Sequence, residues 1–200
     1  IMNLEEFGNA LFIDHEIQVA EKDEKIYSST FFKSSYDLSK KNDNVAIIGG
    51  GDGGVARECL DNSTNYIDWY ELDPEIVESC YRHLPSICSK VKKSNTVNTF
   101  WGDAFESIKS VEDSKYDKIF VDLNDDQYCI DLARKNMKSL KRILKPGGVI
   151  TAQVGSKDKK SKQVENWCKV LEKSFGNVRT SGVHVPSFDC NWNFASSVMK

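Results

Sequence analysis

Val45-Ala46-Ile47-Ile48-Gly49-Gly50-Gly51-Asp52-Gly53-Gly54 is the stretch on which the fold turns. Four apolar residues run unbroken into a glycine cluster, and a helical pattern from Gly54 to Leu60 follows. A short strand that is apolar at every position is buried on both faces, as in a parallel sheet. Glycines make a tight turn in which no Cβ keeps a ligand from the backbone, and the N–H groups of the helix start point outward. Strand, turn and helix in this order suit a nucleotide, although a glycine turn alone carries little weight.

The same alternation continues downstream. Ile67 to Leu72 reads as a second strand, and Asp73-Pro74 starts a helix with proline in its first turn. Val97 to Phe100 is a third strand, with a short helix after Gly102-Asp103, and Lys118 to Val121 is a fourth. A long helix is expected from about Gln127 to Leu144, stopped by Lys145-Pro146-Gly147-Gly148, and Val149 to Val154 makes the fifth strand. Lys157 to Lys162 reads as a solvated loop and helix start. A helix carrying Val164, Trp167, Val170, Leu171 and Phe175 follows, then late strands at Val178 to Val183 and Trp192 to Met199. Upstream, Ala10 to Val19 alternates as two short strands around Asp14-His15, and the polar stretch Ser34 to Asn44 separates that hairpin from the rest. The fold class is α/β: a mainly parallel sheet with helices on both faces and an antiparallel edge, preceded by a small β-hairpin element. The expected domains are a β element over residues 1–36 and a catalytic domain over 44–200. The chain opens on Ile1 close to a hairpin pattern, so further residues are expected upstream. Separately, a homodimer is expected.

Composition narrows the partners. The chain has 200 residues, 40% hydrophobic, with a net charge of −3 and Lys and Arg scattered among the acids. It lacks the clustered basic face that tracks nucleic acid. No run approaches the roughly 18 apolar residues of a membrane span. The six cysteines form no CxxC pair and read as reduced thiols of a cytoplasmic protein. His15, His83 and His184 lack ligand spacing, so no metal is expected.

The site candidates cluster at strand ends. Glu71 closes the second strand 20 positions after Gly51, where a carboxylate can accept both hydroxyls of a ribose. Asp52 puts a negative charge inside the loop, which repels phosphate and favours a cationic tail. Asp103, followed by Ala104, ends the third strand and suits an adenine amino group, unless it only caps the next helix. At the end of the fourth strand lies Asp122-Leu123-Asn124-Asp125-Asp126. An amine with a pKa near 10 arrives protonated and cannot attack, so Asp122 is the expected general base, with Asp125 holding a cationic substrate.

Three passages carry a resemblance over nearly the whole chain. They are Ile17-Gln18-Val19-Ala20-Glu21-Lys22-Asp23-Glu24 with Tyr27; Ile48 to Val55 with Glu71-Leu72-Asp73-Pro74; and Asp122 with Val185-Pro186-Ser187. Together they resemble the polyamine aminopropyltransferases, the spermidine and spermine synthases. The resemblance implies a Rossmann-like, methyltransferase-type domain that moves an aminopropyl group from decarboxylated S-adenosylmethionine to a polyamine and releases methylthioadenosine. It implies that Gln18, Gly49, Gly51, Glu71, Asp103 and Ala104 bind the nucleoside, Asp52 the aminopropyl ammonium, and Tyr27 and Asp122 the attacking amine.

Departures bear on the acceptor. Spermidine synthases usually read Asp-Ser-Ser-Asp-Pro where this chain has Asp122 to Asp126, and glutamine where it has Ser28. Spermine synthases resemble it better at Asp122-Leu123 and Val185-Pro186-Ser187. Both usually have tyrosine where Phe188 stands. These features lean slightly toward spermidine over putrescine. The alternatives are a methyltransferase using ordinary S-adenosylmethionine and a catalytically silent regulatory relative.

Overall fold

The computed structural model describes residues 1–200. Its N-terminal antiparallel sheet consists of β1 (Met2–Leu4), β2 (Gly8–Ile13) and β3 (Glu16–Ala20). Asp14 and His15 join β2 to β3 with φ of 50° and 66°, the paired left-handed conformation of a two-residue hairpin turn. Then come α1 (Glu24–Tyr36), β4 (Asn44–Gly49), α2 (Gly54–Asp61), β5 (Tyr66–Glu71), α3 (Pro74–His83), α4 (Pro85–Lys92), β6 (Val97–Trp101) and α5 (Ala104–Ser107). The chain closes with β7 (Tyr116–Asp122), α6 (Gln127–Ile143), β8 (Leu144–Ser156), α7 (Lys157–Phe175), β9 (Val178–Val185) and β10 (Cys190–Val198).

The larger sheet has the order β6-β5-β4-β7-β8-β10-β9. Its first five strands are parallel, and β10 runs antiparallel to both β8 and β9. Strand β4 shows why its sequence is apolar throughout. Val45 and Ile47 face one core with Phe31, Phe32, Val55 and Trp69, while Ala46 and Ile48 face the other with Ile130, Leu140 and Trp167. From β4 the chain builds β5 and β6 on one side and then returns to add β7 on the other. The crevice outside the carboxyl ends of β4 and β7 is therefore the topological switch point, where open α/β sheets place ligands.

Three elements differ from expectation. Helix α1 occupies residues expected to end a β element and begin a polar separator. Its Ser29, Thr30 and Ser34 hydroxyls donate to carbonyls four residues back, a habit of poor helix formers. Packing overrides that propensity: Phe31 stacks on Phe194 at 4.7 Å and meets Phe120 edge-on at 5.3 Å. By its contacts α1 belongs to the larger sheet. The long helix stops at Ile143, and Lys145 to Gly148 lie in β8, where they bulge between the Tyr116–Leu144 and Lys118–Val149 pairs. The lysine-rich segment is helical from Lys157, with non-helical backbone at Lys160 (φ −138°, ψ 50°).

Candidate active site

A cavity of about 370 Å³ opens at the switch point. The glycine loop forms its floor. Gly49 pairs with Asp122 across β4 and β7, and Gly50 N–H donates to the Asp122 carbonyl at 3.0 Å. Gly50 has φ +69°, and a Cβ there would lie 2.8 Å from the Asp122 carboxylate, so glycine is needed for conformation and for space. Trp69 Nε1–H donates to the Gly49 carbonyl at 2.8 Å and braces the loop.

At one end of the cavity stand Gly51, Glu71, Asp73 and Ile76. The Glu71 carboxylate accepts from Asp73 N–H at 3.0 Å, and burial raises its pKa. The small sheet covers the cavity with Leu11, Ile13, Ile17 and Gln18. That cover is anchored, because Leu11 and Val19 pack against Cys80 of α3, Ile87 and Cys88 of α4, and Leu84 between the two helices. Asp103 and Ala104 lie outside the lining. Asp103 caps α5, accepting from Phe105 N–H at 2.8 Å, yet it follows Gly102, whose N–H donates to the Glu71 carbonyl at 2.9 Å.

The other end is assembled from distant segments. Tyr27 O–H donates to Asp122 at 2.6 Å across 95 positions of sequence. Burial lifts the Asp122 carboxyl to about 6, the Tyr27 bond opposes the rise, and Glu71 adds to it. Asp52 also lines the cavity, and its carboxylate accepts from Gly54 N–H at 2.7 Å. Burial, then the charges of Asp122 and Glu24, push its pKa well above the carboxylate range. Acids crowded in this way favour a cation among them.

The acids at the end of β7 and in the loop after it take separate roles. Asp122 meets Tyr27, Asp126 caps α6 by accepting from Cys129 N–H at 2.7 Å, and Asp125 pairs with Lys160 at 3.2 Å. A cation of the chain itself thus meets Asp125, which was expected to face substrate.

Several contacts escaped the sequence reading. Gln153 accepts from Trp192 Nε1–H at 3.1 Å and donates to the Leu123 carbonyl, tying the acidic loop to β10. A glutamine inside the apolar run from Val149 to Val154 was the available signal. Asp23 accepts from Ser187 N–H at 2.6 Å and Ser187 O–H at 3.0 Å, which holds Phe188 edge-on to Tyr27 with 6.1 Å between ring centres. Beneath the loop, buried Arg57 bridges Glu24 at 2.5 Å and Glu58 at 2.7 Å. No three His, Cys, Asp or Glu side chains form a metal-holding group.

Fold and cavity define an α/β protein of the methyltransferase-type class with a ligand-sized cavity at its switch point. The family model described as the spermine/spermidine synthase domain matches residues 24–200, starting at α1. A polyamine aminopropyltransferase of Prochlorococcus marinus (strain NATL1A) is 33% identical over 95% of this chain and 68% of its own length. One of Korarchaeum cryptofilum is 28% identical over 97% of this chain and 61% of its own length. The chain therefore spans roughly two thirds of the relatives it matches. Among solved structures, a spermidine synthase in complex with the transition-state analogue AdoDATO superposes with a TM-score of 0.92 at 19% identity, covering 99% of this chain and 69% of that one. The Thermotoga maritima spermidine synthase gives 0.90 at 20%, covering 99% and 68%. The chain belongs to the spermine/spermidine synthase family.

Proposed function

We propose that the chain transfers the aminopropyl group of decarboxylated S-adenosylmethionine to spermidine or putrescine and releases methylthioadenosine. The observation that carries this reading is the convergence of Asp52, Asp122 and Tyr27 in one cavity beside the glycine loop and Glu71. Family membership supports it over a methyltransferase. In this reading Gln18, Gly49, Gly51 and Glu71 hold the nucleoside, with Asp103 and Ala104 at the adenine rim. Asp52 takes the ammonium of the aminopropyl group, and its raised pKa falls back when that cation binds.

Tyr27 and Asp122 hold the attacking amine, and Asp125 faces its far end. The amine enters protonated and Asp122 takes the proton. The freed lone pair attacks the carbon next to sulfur, the C–N bond forms as the C–S bond breaks, and the electron pair passes to sulfur. Sulfur starts positive and leaves neutral, so positioning and deprotonation carry the catalysis. We also propose a homodimer in the cytoplasm, to which six free thiols conform. Light scattering tests the dimer.

The test is to incubate the protein with decarboxylated S-adenosylmethionine and either amine. Methylthioadenosine release with one of them is expected, and release with neither overturns the reading. Calorimetry should also show the decarboxylated cosubstrate binding more tightly than S-adenosylmethionine. The opposite preference would restore the methyltransferase.

A further inference from the structure

Asp125 is 7% exposed and lines the same cavity as Asp122 and Tyr27. It is pressed against β8 at Gly155, where φ is +83° and the carboxylate fills the space a Cβ would take, 2.5 Å from where that atom would stand. Its cationic partner is Lys160, at 3.2 Å, reaching in from the break in α7. The Lys160 side chain is 38% exposed, and Asp125 is the one carboxylate it meets. Neighbouring Lys159 is held elsewhere, donating to the Phe188 carbonyl at 2.8 Å. An ammonium from the chain thus sits where a second ammonium of a long amine would be drawn.

We propose that Lys160 is an internal competitor of the acceptor: its ammonium occupies Asp125, and an amine with a distant second ammonium must displace it to bind fully. The proposal rests on the reading of this end of the cavity as the amine site. Displacement is feasible because a partly exposed lysine can return its charge to water while the incoming ammonium takes its place at the buried carboxylate. The pair therefore acts as a filter on the acceptor. Amines whose second ammonium reaches Asp125 compete with Lys160, and amines lacking that charge bind without regard to it.

Calorimetry on the full chain, saturated with methylthioadenosine, tests this with putrescine, spermidine and n-butylamine. Lys160→Met keeps the side-chain length and removes the charge, whereas Lys160→Arg keeps the pair. Lys160→Met is expected to tighten whichever of putrescine and spermidine reaches Asp125 by roughly threefold to tenfold, the range of a weak ion pair, and to leave n-butylamine within about twofold. Lys160→Arg should match the parent. Unchanged or weaker binding of both polyamines overturns the proposal, as does an equal shift for n-butylamine, which marks a structural effect. Methylthioadenosine release measured in parallel separates the two readings. A parent that turns over while Lys160→Met binds polyamines no better sinks the competitor alone. A parent that releases nothing but binds polyamines more tightly as Lys160→Met sinks the transfer reaction alone, and absence of amine binding to both proteins sinks both.

Discussion

The glycine-loop end of the cavity comes from one continuous passage, Gly49 to Ile76, in which the end of β4, α2, β5 and the start of α3 follow directly on one another. The acidic end is gathered from α1, the end of β7, the middle of β8, the start of α7 and the turn between β9 and β10. A local strand–turn–helix can hold a nucleoside almost anywhere the chain forms one, because backbone N–H groups do much of the work. An amine pocket needs carboxylates and aromatic rings set at defined positions around a cation, and those come only from distant segments. In the proposed reaction the first end serves the nucleoside and the second the amine.

That contrast can be broken most severely at Asp122. Asp122→Asn should lower turnover by about 100-fold to 10,000-fold while leaving cosubstrate affinity nearly intact. Calorimetry with the cosubstrate, beside the rate assay, checks it, and a parallel loss of both would show that the two ends are not separable. Glu71→Gln should do the reverse, raising cosubstrate KM by about 10- to 100-fold, the scale of a charged hydrogen bond, with acceptor KM little changed.

A pH profile sharpens the assignment. With Asp122 titrating near 6, kcat/KM for the amine should fall about tenfold per unit below that pH. A flat profile there would remove Asp122 as the base. The same raised pKa has a stability cost. A carboxyl whose folded pKa exceeds its unfolded value contributes stability present below about pH 4 and lost as the pH rises through about 6. Asp122→Asn, whose amide oxygen still accepts from Tyr27, should therefore melt higher than the parent above pH 7. Because Asp122 opens partly on the cavity, the gain should be only about 1 kcal/mol, vanishing near pH 4 in calorimetric melts. The smallest effect is expected from Phe188→Tyr, which restores a hydroxyl at the amine end and should change acceptor KM by roughly threefold to tenfold, one hydrogen bond's worth, with cosubstrate KM unmoved.

Pattern reading found the elements whose signals are local. The apolar run of β4, the proline at the start of α3 and the alternation of β2 and β3 each carry their own geometry. It missed α1, whose serines favour no helix, because the rings that Phe31 packs against, Phe120 and Phe194, lie far along the chain. Gly49, Asp52, Glu71 and Asp122 were legible as strand-end residues. Asp125 was legible as an acid, whereas its pairing with Lys160 was not. Nothing in a sequence reports that a residue at the start of one helix reaches a loop 35 positions away.

By itself, the sequence determined a doubly covered α/β sheet with a glycine loop and acids at its strand ends, because burial, turn geometry and charge act over a few neighbouring residues. Only the tertiary structure decided which acids meet a tyrosine, which cap a helix and which are already paired with a lysine. Those outcomes depend on distances between segments that the chain brings together only when it folds.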